Sequence, residues 1–232
     1  MAYASSGYGN TGALYPTTKN MPVWNSDGKY GSCIYFDGID DYVRVTAPDL
    51  GTNYTLAFWA TVDESSISSN SWQTAMSAQT SYPTIRLNPN NWMYNYWYDS
   101  RNVEHGDNFS YLTKRDKVWR HYAVIHDALG YRAYTDAVLN RDYRGYTYTS
   151  RDIGTMQWDF GRYFGSSSYN WKGNLDEVVL YNRSLSGIEI SYLYQGISRD
   201  YTYGITFGAN EADATCASLV SAGWQKKIPV QA

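Results

Sequence analysis

The segment Tyr30 to Val45, YGSCIYFDGIDDYVRV, restricts this chain more than any other, because a turn rich in aspartate separates two stretches of strict alternation. Ile34 and Phe36 share one face and Cys33 and Tyr35 the other. Beyond the turn, Val43 and Val45 oppose Tyr42 and Arg44. Period two is the signature of half-buried strands, so the segment reads as two strands joined by a reversal. Asp37-Gly38 supplies that reversal, since glycine accepts positive φ. Asp37, Asp40 and Asp41 then cluster as hard oxygen donors suited to Ca²⁺, although an aspartate in a turn also commonly bonds its own backbone.

Strand patterns recur along the chain at Leu56 to Val62, Thr84 to Leu87, Trp92 to Tyr98, Arg120 to His126, Tyr131 to Val138 and Leu175 to Tyr181. Polar intervals at Asp63 to Ser71, Asp99 to Asp116 and Gly165 to Asn170 read as loops. This spacing predicts an all-β, two-sheet antiparallel sandwich. One helix is specified near the C-terminus. Ser186-Gly187-Ile188-Glu189 is a capping box flanked by Leu185 and Ile190 as a hydrophobic staple. Ile190, Leu193, Tyr194 and Ile197 form a short apolar stripe, which Gly196 stops.

Several of these pieces resemble the LamG-like (laminin G-like) branch of the concanavalin A-like lectin/glucanase superfamily. The Ser5 to Gly12 loop, Asp27-Gly28-Lys29-Tyr30-Gly31 with the FDG strand, Tyr54 to Trp59, Trp119 to Val124 and Gly173 to Leu185 occur in the family's order. The resemblance implies a jelly-roll domain over residues 1–196, with residues 197–232 as a C-terminal extension. It also implies an extracellular, cell-surface or virion-surface setting and a structural Ca²⁺ held by loop carboxylates, with Asp176 joining Asp37, Asp40 and Asp41 as candidates. A first strand precedes the Ser5 loop in the family. Tyr201, Tyr203, Ile205 and Phe207 alternate in a way that suits that strand, contributed within the subunit or donated to a neighbour; otherwise the extension is a linker.

Catalysis finds little footing. A glucanase places its carboxylates together on one strand face, whereas Asp176 and Glu177 are adjacent and point apart on a strand. No nucleophile elbow and no Ser-His or Cys-His pairing stands out. His121 and His126 lie an odd number apart in one predicted strand, so they face opposite surfaces and form no chelating pair. Gly7 to Gly12 matches a dinucleotide-type glycine pattern but lacks a preceding strand and a following amphipathic helix, so it reads as a surface turn.

Charge and length exclude other classes. The net charge is −3 without a basic stripe, which leaves nucleic-acid binding without its electrostatic term. No apolar run approaches the roughly 18 residues of a membrane span, so no membrane insertion is expected. Cys33 and Cys216 are the only cysteines. They define one available disulfide, against which stands the position of Cys33 in a predicted core strand, where free thiols are common.

The expected function is therefore non-enzymatic recognition or adhesion, with a glycan or a surface protein as partner. The alternative is a structural subunit of a filament, sheath or virion that self-associates through the extension. The 25 tyrosines supply the recognition chemistry. Tyr94, Tyr96 and Tyr98 share one face of a strand with Trp92, and Trp72 and Trp171 lie in loop-like surroundings, so these rings are the candidate sugar-stacking residues.

Overall fold

A computed structural model describes residues 12–17, 21–63, 71–80, 82–113, 116–144, 149–198 and 225–226. The chain forms β1 (Ala13–Tyr15), β2 (Val23–Asn25), β3 (Cys33–Asp37), β4 (Tyr42–Ala47), β5 (Tyr54–Ala60), β6 (Gln73–Ala78), β7 (Thr84–Leu87) and β8 (Trp92–Tyr98). There follow β9 (Glu104–Tyr111), β10 (Arg120–Asp127), β11 (Gly130–Thr135), β12 (Val138–Arg144), β13 (Met156–Phe160), β14 (Lys172–Tyr181) and α1 (Gly187–Tyr194). Finally β15 (Ile197–Ser198) pairs with β16 (Gln225–Lys226). Two antiparallel seven-stranded sheets carry the fold. The first runs β1-β4-β13-β6-β7-β8-β9 and the second β12-β11-β10-β5-β14-β3-β2. Sequence neighbours β3 and β4 sit in different sheets, so the Asp37-Gly38 reversal is a corner between layers. This is a jelly-roll sandwich, as expected.

Alternation decides what lies between the sheets. Ile34, Phe36, Val43, Val45, Leu56, Phe58, Tyr122, Val124, Trp158 and Phe160 all point into one continuous core. The opposite face of the second sheet is also covered: Ala57, Ala123, Ile125, Tyr134, Val179 and Tyr181 pack beneath Leu185 and Ile190 at the start of α1. Thus β5 and β10 are buried on both faces and read as near-continuous apolar runs. The capping box forms as expected. Ser186 Oγ accepts the Glu189 amide hydrogen at 3.2 Å, and Glu189 Oε2 accepts the Ser186 amide hydrogen at 2.9 Å.

Two of these strand and loop expectations are corrected. Asp99 to Asp116 is not one loop, for it contains β9, a polar strand at the edge of the first sheet. Tyr131 to Val138 is not one strand. Asp136 (φ 50°) and Ala137 (φ 64°) turn the chain between β11 and β12, a positive-φ hairpin turn built without glycine. Strand β6 carries no periodic signal because a bulge interrupts it, whereas β13, MQWDF, alternates, with Trp158 and Phe160 in the core.

His121 and His126 face opposite sides of β10, as the odd spacing requires. His121 contacts Trp59 and Tyr194 beneath the helix, while His126 stacks on Tyr54 at 4.8 Å. Among the described residues no helix is long and apolar enough to cross a membrane. The Cys33 thiol is buried, and burial pushes it up to about 12. Cys216 lies outside the described residues, as do Tyr201, Tyr203, Ile205 and Phe207.

Candidate functional site

The outer face of the first sheet gathers most of the aromatic candidates. In β8 the inward positions are Met93 and Asn95, both buried, which turns Tyr94, Tyr96 and Tyr98 outward. Register then fixes their neighbours. Arg86 of β7 pairs with Tyr94, and on the other side Gly106 pairs with Tyr96 and Glu104 with Tyr98. A side chain at Gly106 would collide with the Tyr94 phenol, so glycine there lets that ring lie flat across β9.

Loops complete the surface. Trp72 meets Tyr94 edge-on at 5.4 Å and covers the Arg86 guanidinium at 4.0 Å. Tyr82 stacks on Tyr96 at 5.1 Å and meets Tyr98 edge-on at 4.4 Å. Tyr163 lies 5.7 Å from Arg86. The guanidinium thus sits in a ring of four aromatic side chains, and its buried Nε has no hydrogen-bond partner among the described residues.

One carboxylate ties the tyrosines together. Tyr82 and Tyr98 donate to Glu104 Oε2 at 3.4 and 3.2 Å, and Tyr96 donates to Oε1. These bonds, led by that of Tyr96, hold the Glu104 carboxyl below its ordinary range. Desolvation and the bond to Glu104 push the Tyr96 phenol up to about 12, so it remains a donor at neutral pH. The face therefore offers rings, hydroxyls, a cation and an anion in fixed positions. That mixture suits an amphipathic, hydroxyl-rich ligand that stacks and hydrogen-bonds at once.

Alternation marks Tyr94, Tyr96 and Tyr98, but Arg86, Glu104, Tyr82 and Tyr163 join them only through cross-strand pairing and loop return. Trp171 does not belong to this group. It is fully buried in the core, where its amide donates to Gly161 O at 2.7 Å, so the loop-like composition around it conceals a core ring.

The acidic candidates divide. Asp37, Asp40 and Asp41 bring one oxygen each within 4.8 Å of one another at the β3–β4 corner. Asp37 Oδ1 accepts the Ile39 amide hydrogen at 2.8 Å, and Asp41 Oδ2 accepts that of Asp37 at 2.9 Å. Asp41 Oδ1 is buried and receives no donor among the described residues. Desolvation raises the Asp41 carboxyl to about 7, with Asp37 and Asp40 adding to the effect. Three hard oxygens, one of them undersatisfied, fit a Ca²⁺ ion. Asp176 stands apart. Near the other end of β3, it accepts the Tyr30 amide hydrogen at 3.0 Å and that of Glu177 at 2.8 Å, a buried structural carboxylate.

The fold is that of a two-sheet jelly-roll domain. Residues 37–191 match the family described as the concanavalin A-like lectin/glucanases superfamily, and the chain belongs to that family. No curated protein sequence matches it. Among solved structures, the binding domain of Paraclostridial Mosquitocidal Protein 1 aligns with a TM-score of 0.62 and 15% identity, over 84% of this chain and 50% of that one. The binding domain of botulinum neurotoxin serotype G aligns with a TM-score of 0.60 and 17% identity, over 82% and 47%. Domain 4 of an extracellular arabinanase from Geobacillus stearothermophilus, in complex with arabinotriose, aligns with a TM-score of 0.59 and 18% identity, over 82% and 91%. The chain thus spans about half the length of the two toxin domains. These identities speak to the fold.

Proposed function

We propose that this chain is a non-catalytic recognition module that receives a glycan on the outer face of its first sheet. The observation that carries this reading is the convergence of Trp72, Tyr94, Tyr96 and Tyr163 on Arg86, with Tyr82 stacked on Tyr96 and Glu104 anchoring Tyr82, Tyr96 and Tyr98. Sugar rings present apolar faces edged by hydroxyls, and this surface presents aromatic faces edged by Arg86 and Glu104. Support also comes from the compared structures, which include an arabinanase domain in complex with arabinotriose and toxin binding domains. An extracellular or surface setting accords with that company.

The Asp37, Asp40 and Asp41 corner takes a structural Ca²⁺ in this reading. The extension after residue 196 remains a candidate complementing strand or linker. The alternative of a filament, sheath or virion subunit draws no support from the compared structures.

Binding to immobilised oligosaccharides tests the proposal, with Tyr96→Ala and Trp72→Ala as variants. Retained folding with lost binding is expected. Binding that survives both substitutions, or an absence of binding across a broad oligosaccharide panel, would overturn it.

A further inference from the structure

A cleft of about 270 Å³ opens where the edge strands β9 and β12 of the two sheets approach each other. Its walls include Trp97, Asp107, His126, Tyr131, Tyr143 and Ser150. Trp97 stacks on Tyr131 at 4.7 Å, and Tyr131 lies parallel to Tyr143 with centroids 6.2 Å apart. Trp97 and Asn95 project from the inward face of β8, opposite to Tyr94, Tyr96 and Tyr98. The cleft therefore shares no side chain with the aromatic surface described above.

Its polar groups divide into sealed ones and the part-exposed His105 and Asp107 side chains. The Tyr131 hydroxyl is buried without a hydrogen bond of normal geometry among the described residues, and desolvation, with the Asp107 carboxylate adding to it, pushes the phenol well above its ordinary range. Behind the lining, the buried Asn95 Oδ1 receives no donor among the described residues, while Asn95 Nδ2 lies 3.1 Å from His126 Nε2. An amide N–H can only donate, so Nε2 is the acceptor and the imidazole is neutral, in keeping with burial that lowers its pKa to about 3. Ser150 Oγ lies 2.9 Å from the Tyr54 hydroxyl. Asp107 is paired with Arg141 at 3.3 Å, an ion pair that joins the two edge strands.

We propose that this cleft is a second binding site, for one neutral, hydroxyl-bearing ring of monosaccharide size. Each property follows from the lining. A wholly apolar ligand would strip water from the part-exposed Asp107 and His105 side chains of the lining without replacing its hydrogen bonds. An anion would face the Asp107 carboxylate, and a cation would find that carboxylate already paired with Arg141. The volume lies just under the ~300 Å³ at which pockets for larger small molecules begin, which limits the occupant to a single ring. Trp97 is stacked between His105 and Tyr131, so the exposed Tyr143 is the ring that a pyranose meets, with the His105 and Asp107 side chains beside it.

The test uses the full chain, ¹⁵N-labelled, titrated with D-glucose, D-galactose, D-mannose and N-acetyl-D-glucosamine, with cyclohexanol as an apolar ring of similar size. At least one sugar is expected to give saturable shifts centred on the backbone amides of Gly106, Asp107, Gly130 and Tyr143. Tyr143→Ala should weaken that binding about tenfold and Tyr143→Phe should restore most of it. Trp72→Ala should leave it unchanged, which separates the fate of this site from that of the outer face. The proposal is overturned if no sugar gives saturable shifts there, if cyclohexanol binds as well as the sugars, or if Tyr143→Ala leaves affinity intact.

Discussion

The Arg86 guanidinium carbon lies 4.0 Å from the centre of the Trp72 ring, and this contact joins a loop to the middle of the first sheet. A planar guanidinium can stack on indole and still present N–H groups at its edge, whereas an ammonium offers only a point charge. Arg86→Lys is therefore expected to weaken glycan affinity by about tenfold, equivalent to ~1.4 kcal/mol. Isothermal titration of wild type and variant with the same oligosaccharide checks this; equal affinities would remove Arg86 from the site.

Glu104 acts on the opposite edge of the same surface. Glu104→Gln removes the charge and one of the two acceptor oxygens that Tyr82, Tyr96 and Tyr98 share. Affinity should fall by about fivefold because the rings lose their common anchor. The thermal midpoint should change little, since Glu104 sits at an exposed edge. A large loss of stability with unchanged affinity would recast Glu104 as a purely structural residue.

How legible this surface was depends on the range of the interactions that build it. The capping box of Ser186 and Glu189 is local, so four residues sufficed to place it. The outward row of Tyr94, Tyr96 and Tyr98 was equally visible, because alternation is a local property. Arg86 and Glu104 escaped notice since their roles arise from register across β7, β8 and β9, and β9 itself is too polar to announce a strand. Trp171 was misplaced for the converse reason: its neighbours in sequence are polar, while its neighbours in space are core. The grouping of Asp176 with the β3–β4 corner failed because four residues of β3 separate the two ends of that strand pair.

The acidic corner leads to a stability prediction. Ca²⁺ bound only by the folded chain stabilises by mass action, by about 2.7 kcal/mol at a hundredfold excess over Kd. Added Ca²⁺ should raise the melting temperature, and Asp41→Asn should abolish the increment. Asp176→Asn should lower the melting temperature equally with and without Ca²⁺, because its oxygens serve backbone amides rather than the corner. Differential scanning calorimetry in chelator and in Ca²⁺ separates these outcomes; a wild-type midpoint indifferent to Ca²⁺ would sink the metal assignment.

Asp159 is the most demanding buried charge on the outer face of the first sheet. Fully buried, it accepts from Arg44 Nε at 2.6 Å and Nη2 at 2.8 Å, and from Arg162 Nε at 2.8 Å. Arg162 in turn lies over Tyr42, which stacks on Tyr15 of the edge strand β1. Asp159→Ala would leave two guanidinium groups without their counter-ion, at a cost of about 3–5 kcal/mol. Chemical denaturation should show that loss, and a change below ~1 kcal/mol would mean that water compensates both arginines.

The two buried histidines both make stability fall on acidification below about pH 6.5. His121 lies beneath α1 against Trp59 and Tyr194, and desolvation lowers its pKa to about 3. An unfolded histidine titrates near 6.5, so below that pH the unfolded chain takes up a proton that the folded chain refuses. The stability that neutral His121 contributes is fully present above about pH 6.5. It is lost as pH falls toward 3, at up to ~1.4 kcal/mol per pH unit. His121→Gln removes this term while retaining a polar, planar side chain. Its packing defect shifts stability at every pH alike, so the slope rather than the absolute value reports the proton. Urea titrations between about pH 6.5 and pH 4 should give the variant a shallower decline than wild type. Parallel declines would show that His121 accepts a proton in the folded state and that the helix opens to admit it.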